Sequence, residues 1–119
     1  LAITGVQAEP GRVVFALVPQ EWHLNPLGTV HGGILASLLD TASGCAVHST
    51  LDAGQIYTSV DLSVTFLRPV RAGAGELTCT GQVVSRSTRT SFAMAEAYDA
   101  RGRLMAHATS TCLLTSTAQ

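Results

Sequence analysis

One stretch of the chain, residues 31–50, has the apolar spacing of a helix but almost none of the charge that a solvated helix carries. Apolar side chains recur on one side at intervals of three and four residues, at Ile34, Leu35, Leu38, Leu39, Ala42, Cys45 and Ala46. Asp40 is the only residue in this stretch with a formal charge. Twenty residues extend about 30 Å as a helix, so this element would run through the whole of a small domain.

The segments before and after this helix have the pattern of β-strands. The clearest alternates apolar and polar side chains, with Val60, Leu62, Val64 and Phe66 on its apolar side. The six segments lie near residues 2–8, 12–18, 59–66, 75–85, 89–99 and 103–115. Two strands, one long helix and four strands predict the α+β class, with an antiparallel sheet wrapped around the helix.

Length and composition restrict the protein to a few classes. The 119 residues favour one domain, spanning residues 1–119. Charged residues make up 13 %, compared with about 25 % in ordinary soluble chains, which suggests that further copies of the chain cover part of its surface. The net charge of −1 gives no reason to expect a nucleic-acid partner. No apolar run reaches the roughly 20 residues of a membrane span.

The cysteines and histidines favour neither a disulfide framework nor a metal site. The cysteines are odd in number and far apart, and no histidine lies at metal-ligand spacing from another histidine or from a cysteine. Since no signal peptide is visible either, we expect a protein of the reducing cytoplasm with no bound metal. The residues concerned are Cys45, Cys79, Cys112, His23, His31, His48 and His107.

The side of the predicted helix opposite its apolar stripe carries small residues where a solvated helix would carry Lys, Glu or Arg. This side comprises Gly33, Ala36, Ser37, Asp40, Ser43, Gly44 and Val47. Gly44 inside a helix costs about 1 kcal/mol relative to Ala, so we expect another backbone to approach it closely. The helix would then be covered by its own sheet on one side and by a second subunit on the other.

Asp40 would lie at that interface with no cation near it in the sequence. A carboxylate removed from water is suited to accept a proton as a general base. The alternative is that Asp40 hydrogen-bonds to neighbouring hydroxyl groups or lies at a wet rim, because structural networks also hold carboxylates. The helix pattern alone is compatible with both interpretations.

The loop that enters the helix, residues 25–33, contains groups that can bind a polar ligand. The first N–H groups of a helix have no partner within it, and at Gly32 and Gly33 they can stabilise an oxyanion that develops on a carbonyl. A flexible turn is the alternative. His31 is either a ligand-orienting donor or a capping residue. Asn25, which precedes a proline, is either a hydrogen-bonding group or an ordinary turn residue.

Asp40 lies nine residues after His31, which is about 13 Å along a helix axis. It is therefore too distant to share a substrate atom with the Gly32 and Gly33 amides of its own chain. An antiparallel neighbouring helix would bring a second Asp40 beside them. The spacing thus favours a two-fold dimer with two composite sites.

Together these residues resemble a known family pattern, that of the hotdog-fold thioesterases, and in particular the phenylacetate-degradation-related type. The pattern is Asn25-x-x-Gly28-x-x-His31-Gly32-Gly33 followed by Leu39-Asp40. Residues 58–69, 81–84 and 99–106 are also similar to that family. The resemblance implies a hotdog fold, in which a six-stranded antiparallel sheet surrounds one long helix. It also implies homodimers that assemble into homotetramers.

The resemblance implies a reaction as well, the hydrolysis of acyl-CoA thioesters to free acid and coenzyme A. No cofactor is expected, because coenzyme A is part of the substrate. By position, Asp40 would be the general base or the nucleophile, and we favour a base that activates water. Asn25 would place the water or the thioester. Gly32 or Gly33 would donate to the carbonyl oxygen, supported by His31.

Hydroxyl and guanidinium groups complete the candidate site. Ser59 matches a family hydroxyl that positions the water, and Thr58 is the neighbouring alternative. The phosphates of CoA need cationic partners, which guanidinium groups suit well. Four arginines lie at predicted strand ends and turns, where they either bind those phosphates or are simply solvated: Arg68, Arg71, Arg86 and Arg89.

Two other functions are compatible with this fold. A hotdog acyl-CoA hydratase would place an Asp-His pair differently, and the sequence has no such motif. A non-catalytic protein that binds acyl-CoA or an aromatic ligand would tolerate loss of the carboxylate, so an intact Asp40 weakens that interpretation. Hydrolysis is therefore the favoured expectation, with aromatic and aliphatic acyl groups both compatible with the motif.

Overall fold

A computed structural model describes residues 2–71 and 73–117 of the chain. Helix α1 spans Gly32–His48, and a short 3-10 helix spans Glu21–His23. Helix α1 begins one residue after the predicted start, because His31 caps it, and ends two residues before the predicted end. The six strands are β1 (Thr4–Glu9), β2 (Arg12–Leu17), β3 (Gln55–Phe66), β4 (Leu77–Arg86), β5 (Thr90–Tyr98) and β6 (Leu104–Ser116).

The strands form one antiparallel sheet in the order β1-β2-β4-β5-β6-β3. Helix α1 packs against one face of this sheet, where Leu38, Leu39 and Ala42 are fully buried. The apolar stripe that the sequence predicts is therefore the core side of the helix, although Ile34 and Cys45 are only partly buried. The predicted α+β class and the six-stranded antiparallel sheet around one long helix are confirmed.

Gly81 on β4 permits the helix and the sheet to approach each other closely. A Cβ atom at this position would overlap the carbonyl group of Ala42 in α1. Glycine is therefore required by the contact with the helix rather than by its own backbone conformation. The close approach fixes the depth at which α1 lies on the sheet.

Gly44 is explained by a contact within the chain. A Cβ atom there would lie 3.0 Å from the phenol oxygen of Tyr57, which projects from β3. Ser43, Gly44 and Val47 are all buried by the chain itself. The expectation that the backbone of a second subunit approaches Gly44 is therefore wrong, because the β3 edge of the sheet already covers this end of the helix. The small-residue side is open only over residues 33–40.

Candidate active site

The loop before α1 is held in shape by the Asn25 side chain. Its Oδ1 accepts hydrogen bonds from the N–H groups of Leu27 (2.9 Å) and Thr29 (3.2 Å) and from the Thr29 hydroxyl (3.1 Å). Within the described residues its Nδ2 group has no acceptor. Asn25 is thus a turn residue whose amide can still donate hydrogen bonds to a ligand.

His31 is the N-cap of α1 and decides which first-turn amide is free. Its Nδ1 accepts a hydrogen bond from the Gly33 N–H at 2.9 Å, so this nitrogen carries no proton. The Ile34 and Leu35 N–H groups both donate to the His31 carbonyl. In the part of the chain that the structure describes, the Gly32 N–H has no acceptor. Of the two amides that the sequence suggests, Gly32 is therefore the available donor.

Apolar side chains surround the Gly32 amide. The tip of the Phe66 ring lies 3.3 Å from the Cβ position that Gly32 lacks, and Phe66 is 53 % exposed. Gly32 also lines a cavity of about 310 Å³ together with Leu35, Leu67 and Arg68. Once a substrate or a second chain covers these apolar side chains, a hydrogen bond from this amide to a carbonyl oxygen would be strengthened by the loss of competing water.

Asp40 lies in the middle of α1 on its open side. Its side chain is exposed in this chain, and its carboxylate forms no hydrogen bond or ion pair with a described residue. Burial raises the pKa of Cys45 and of Tyr57, and the charge of the nearby Asp40 adds to both shifts. Both neighbours are therefore neutral at neutral pH and add no second negative charge beside Asp40.

A β-bulge in β3 places Ser59, rather than Thr58, on the side of the sheet that faces α1. The register of β3 against β6 shifts at Val60. Ser59 pairs with the buried Cys112, and its Oγ lies 3.8 Å from the Cys112 Sγ, whereas Thr58 pairs with the exposed Leu113. The alternation predicted for this strand places Ser59 on the side opposite Leu62 and Val64. This prediction is wrong, because the extra residue in the bulge turns Ser59 to the side that faces α1.

Gly32 and Asp40 lie far apart in one chain. Eight residues of α1 separate them, which is about 12 Å along the helix axis. A single substrate carbonyl cannot contact both groups over that distance. The structure therefore has the separation between Asp40 and the amides of the first helical turn that the sequence predicts.

Three further findings concern residues 2–71 and 73–117 only. These residues contain no group of three or more His, Cys, Asp or Glu side chains arranged to hold a metal ion. None of their helices is both long enough and apolar enough to cross a membrane. The thiols of Cys45, Cys79 and Cys112 are free.

The sequence profile of the thioesterase superfamily matches residues 27–106, a range that includes Gly32, Asp40 and Ser59. The chain belongs to the thioesterase superfamily. Human acyl-coenzyme A thioesterase 13 is 33 % identical to it over 105 residues, which cover 87 % of this chain and 74 % of the human protein. Membership of this superfamily supports thioester hydrolysis as the class of reaction.

Two solved structures share the hotdog fold that the resemblance implies, and the fold is confirmed. Zebrafish thioesterase superfamily member 2 is 30 % identical with a TM-score of 0.88, over 96 % of this chain and 82 % of that one. The PaaI protein from the phenylacetic acid degradation operon of E. coli is 27 % identical with a TM-score of 0.87. That alignment covers 96 % of this chain and 80 % of the E. coli chain.

The arginines that the sequence suggests for phosphate binding lie at two ends of this superfamily member. Arg68 lines the cavity that contains Gly32. Arg86 donates to the Thr50 carbonyl (2.9 Å) and to the Gln55 side chain (2.8 Å), just beyond the other end of α1. Arg89 precedes β5 near the same end, where its carbonyl accepts from the N–H of residue 114. About 24 Å of helix separates the two ends, so one chain does not bring Arg86 and Arg89 to Arg68.

Arg101 and Arg103 were missed by the sequence reasoning. Together with Arg68 and Arg71 they line a second cavity, of about 430 Å³. The signal was the resemblance of residues 99–106 to the family, but a sequence segment alone does not say which loop it adjoins. The pairing of β3 with β6 supplies that information, because it brings the end of β3 beside the start of β6.

Proposed function

We propose that the protein hydrolyses acyl-CoA thioesters to free acid and coenzyme A at a composite site formed by two chains. Asp40 of one chain activates a water molecule, and the Gly32 N–H of the other polarises the thioester carbonyl. One observation carries the proposal: α1 holds an amide without an acceptor and a carboxylate without a partner, both judged among the described residues. These are the two groups that thioester hydrolysis needs.

The spacing of these groups on α1 supports a two-fold arrangement. Ala36 lies midway, four residues from both Gly32 and Asp40. Two antiparallel helices related by an axis at Ala36 therefore align Gly32 of each chain with Asp40 of the other. Gly33 and Ser37, which flank this midpoint on the open side, are small enough for the two helices to approach closely.

The free edge of β3 also supports a dimer. β3 is 12 residues long and, among the described strands, pairs with β6 alone, so its other edge offers unpaired backbone groups to a second strand. Ile56, Val60, Leu62 and Phe66 on this strand are exposed in one chain. Two copies that pair through β3 would satisfy the edge and cover these side chains. Further pairing into the homotetramer is part of the proposal, supported by the low content of charged residues.

The reaction follows from the chemistry of these groups. The Asp40 carboxylate takes a proton from water as the water oxygen bonds to the thioester carbon. The carbonyl oxygen becomes negatively charged and accepts a hydrogen bond from Gly32. When the tetrahedral intermediate collapses, the C–S bond breaks, and the coenzyme A sulfur receives the proton that Asp40 holds. The products are the free acid and the coenzyme A thiol, and Asp40 is again ionised.

Three other residues have supporting roles in this proposal. His31 positions the site indirectly, since its cap fixes the first turn and occupies the Gly33 amide. Asn25 offers its Nδ2 to the water or the thioester. Ser59, on the helix side of β3, positions the attacking water. The three free thiols fit a cytoplasmic location.

The first test is Asp40→Asn, which keeps the side-chain shape but cannot accept the proton. We expect kcat for acyl-CoA hydrolysis to fall by about 10²–10⁴-fold, because general-base catalysis contributes that much. Release of free thiol measures it, on a panel that includes phenylacetyl-CoA and medium-chain acyl-CoAs. The panel also shows which acyl group the site prefers. Unchanged turnover in the folded variant, or an inert wild-type protein that still binds acyl-CoA, contradicts the proposal.

A second test asks whether the site is composite. The Asp40→Asn and Gly32→Pro variants are each expected to be inactive alone, and the two are then mixed by co-refolding. A mixed dimer has both defects in one site and neither in the other, so random mixing restores about a quarter of the wild-type activity. If both groups act within one chain, every site in the mixture carries a defect and no activity returns.

A further inference from the structure

A cavity lined by arginines adjoins the proposed site. It has a volume of about 430 Å³ and lies where the end of β3 meets the hairpin between β5 and β6. We call it the arginine cavity, after the residues Arg68, Arg71, Arg101 and Arg103 in its lining. The chain has seven basic residues other than histidine, all arginines, in a protein of net charge −1. More than half of its strong positive charge therefore lines one cavity.

Little of this charge is neutralised by the chain. Asp99, which also lines the cavity, is 4 % exposed and accepts hydrogen bonds at 2.9 Å from the Arg101 and Arg103 N–H groups. Its other oxygen pairs with the Arg103 Nε at 2.8 Å. The guanidinium groups of Arg68, Arg71 and Arg101 make no hydrogen bond or ion pair within the described ranges. Three uncompensated cations around one cavity attract an anion with several negative oxygens.

The arginine cavity adjoins the one at Gly32. Arg68 and Pro69 line both. The Gly32 side is walled by apolar groups such as Leu35 and Phe66, and the far side is cationic. A ligand that lies along both would place an uncharged portion near Gly32 and its anionic groups among the arginines.

We propose that the arginine cavity binds the phosphate groups at the nucleotide end of coenzyme A. This inference rests on the proposed function, which puts the thioester at Gly32. The chain that donates the Gly32 amide then also holds the nucleotide, while its partner supplies Asp40. Arg71 and Arg101 are the main contacts, because neither guanidinium is engaged elsewhere in the described chain and, unlike Arg68, neither residue also lines the cavity at Gly32. The cavity thereby selects coenzyme A over carriers that lack phosphates.

The test compares two substrates that carry the same acyl group, one on coenzyme A and one on pantetheine, which has no phosphate. For the double variant Arg71→Ala, Arg101→Ala, we expect KM for acyl-CoA to rise by about tenfold or more, because charged hydrogen bonds to phosphate are lost. We expect kcat to stay as in the wild type. With acyl-pantetheine, neither constant should change. If KM rises equally for both substrates, or changes for neither, the inference is overturned.

The control is Arg12→Ala, on β2 and outside the lining of the cavity. It removes the same charge from the chain, so a general electrostatic effect would raise KM in this variant too. We expect its KM for acyl-CoA to stay at the wild-type value. A rise equal to that of the double variant would assign the effect to net charge and overturn the site.

A binding measurement separates this inference from the proposed function. Calorimetry with adenosine 3′,5′-bisphosphate should give binding that weakens with salt and is lost in the double variant, whether or not any thioester is hydrolysed. An inert wild-type enzyme that still binds this nucleotide contradicts the reaction but not the cavity. Inorganic phosphate that binds as tightly as the nucleotide overturns the nucleotide assignment. So does faster turnover on an acylated carrier protein than on acyl-CoA.

Discussion

The two ends of α1 differ in how their polar groups are satisfied. At the C-terminal end, the Ser49 hydroxyl donates to the Ala46 carbonyl at 2.7 Å and accepts from the Gly11 N–H at 2.8 Å. The Thr50 hydroxyl donates to the Val47 carbonyl at 2.7 Å. These bonds occupy carbonyl groups that the end of a helix otherwise leaves to water. The chain itself therefore satisfies these polar groups at the C-terminal end, which we call the closed end.

At the N-terminal end, several donors have no acceptor in the described parts of the chain. They are the Gly32 N–H and the guanidinium groups of Arg68, Arg71 and Arg101. Both ends contain glycine, histidine and arginine, so residue type does not separate them. The difference lies in the hydrogen bonds. The polar groups at the C-terminal end bond within the chain, whereas those at the N-terminal end remain available to a ligand.

Among variants that test the difference between the two ends of α1, the largest expected effect comes from removing the free amide. Gly32→Pro eliminates the N–H, and the first position of a helix tolerates proline because no bond within the helix is lost. His31 already has φ −58° and ψ 135°, a conformation that suits a residue before proline. We expect α1 to stay folded by circular dichroism while kcat for acyl-CoA hydrolysis falls by about 10²–10³-fold.

Gly32→Ala is the matched control, because it keeps the N–H and adds one methyl group. That Cβ would lie 3.3 Å from the tip of the Phe66 ring, which is half exposed and can move. We expect activity close to the wild type. An equal loss in both variants would attribute the effect to bulk, and full activity in Gly32→Pro would rule out the amide as the donor.

Local pattern predicts most of the fold in this protein. The spacing of Leu35, Leu38 and Leu39 identifies the core side of α1, and all three are buried. The six segments with a strand pattern correspond to the six observed strands. These predictions succeed because each depends on residues that are neighbours in sequence. The resemblance to a family then adds the topology, which the local pattern does not contain.

The details of the site depend on contacts that the pattern does not contain. The sequence leaves Gly32 and Gly33 equivalent, and only the His31 cap separates them. Thr58 and Ser59 are separated by a bulge that depends on the pairing of β3 with β6. Arg101 reaches the site through the same pairing. In each case the deciding partner is distant in sequence or depends on a side-chain rotamer.

A smaller effect is expected at the closed end. Arg86→Ala removes the hydrogen bonds to the Thr50 carbonyl and the Gln55 side chain, both partly exposed to solvent. We expect the free energy of unfolding to fall by about 1 kcal/mol, seen as a lower urea midpoint with the same slope. KM for acyl-CoA should not change, whereas the double variant Arg71→Ala, Arg101→Ala is expected to raise it. A raised KM with wild-type stability would make Arg86 a substrate contact and remove the distinction between the two ends.

The smallest effect concerns the ion pair between Asp99 and Arg103, which lies beside the N-terminal end of α1. Backbone hydrogen bonding from Arg103, followed by its guanidinium and the Arg101 N–H, holds the pKa of Asp99 below its ordinary value of 3.8, although burial opposes this. A carboxyl group with a lowered pKa in the folded state stabilises the protein fully above its unfolded pKa. That stabilisation is lost as the pH falls through the pKa of the folded state.

Asp99→Asn keeps the Oδ1 acceptor but removes the negative charge, so the variant should be less stable than the wild type at neutral pH. The difference should narrow between about pH 5 and pH 3. Urea unfolding of both proteins across this range measures the difference, and a gap that stays constant would show that the charge of Asp99 does not stabilise the hairpin beside the arginine cavity.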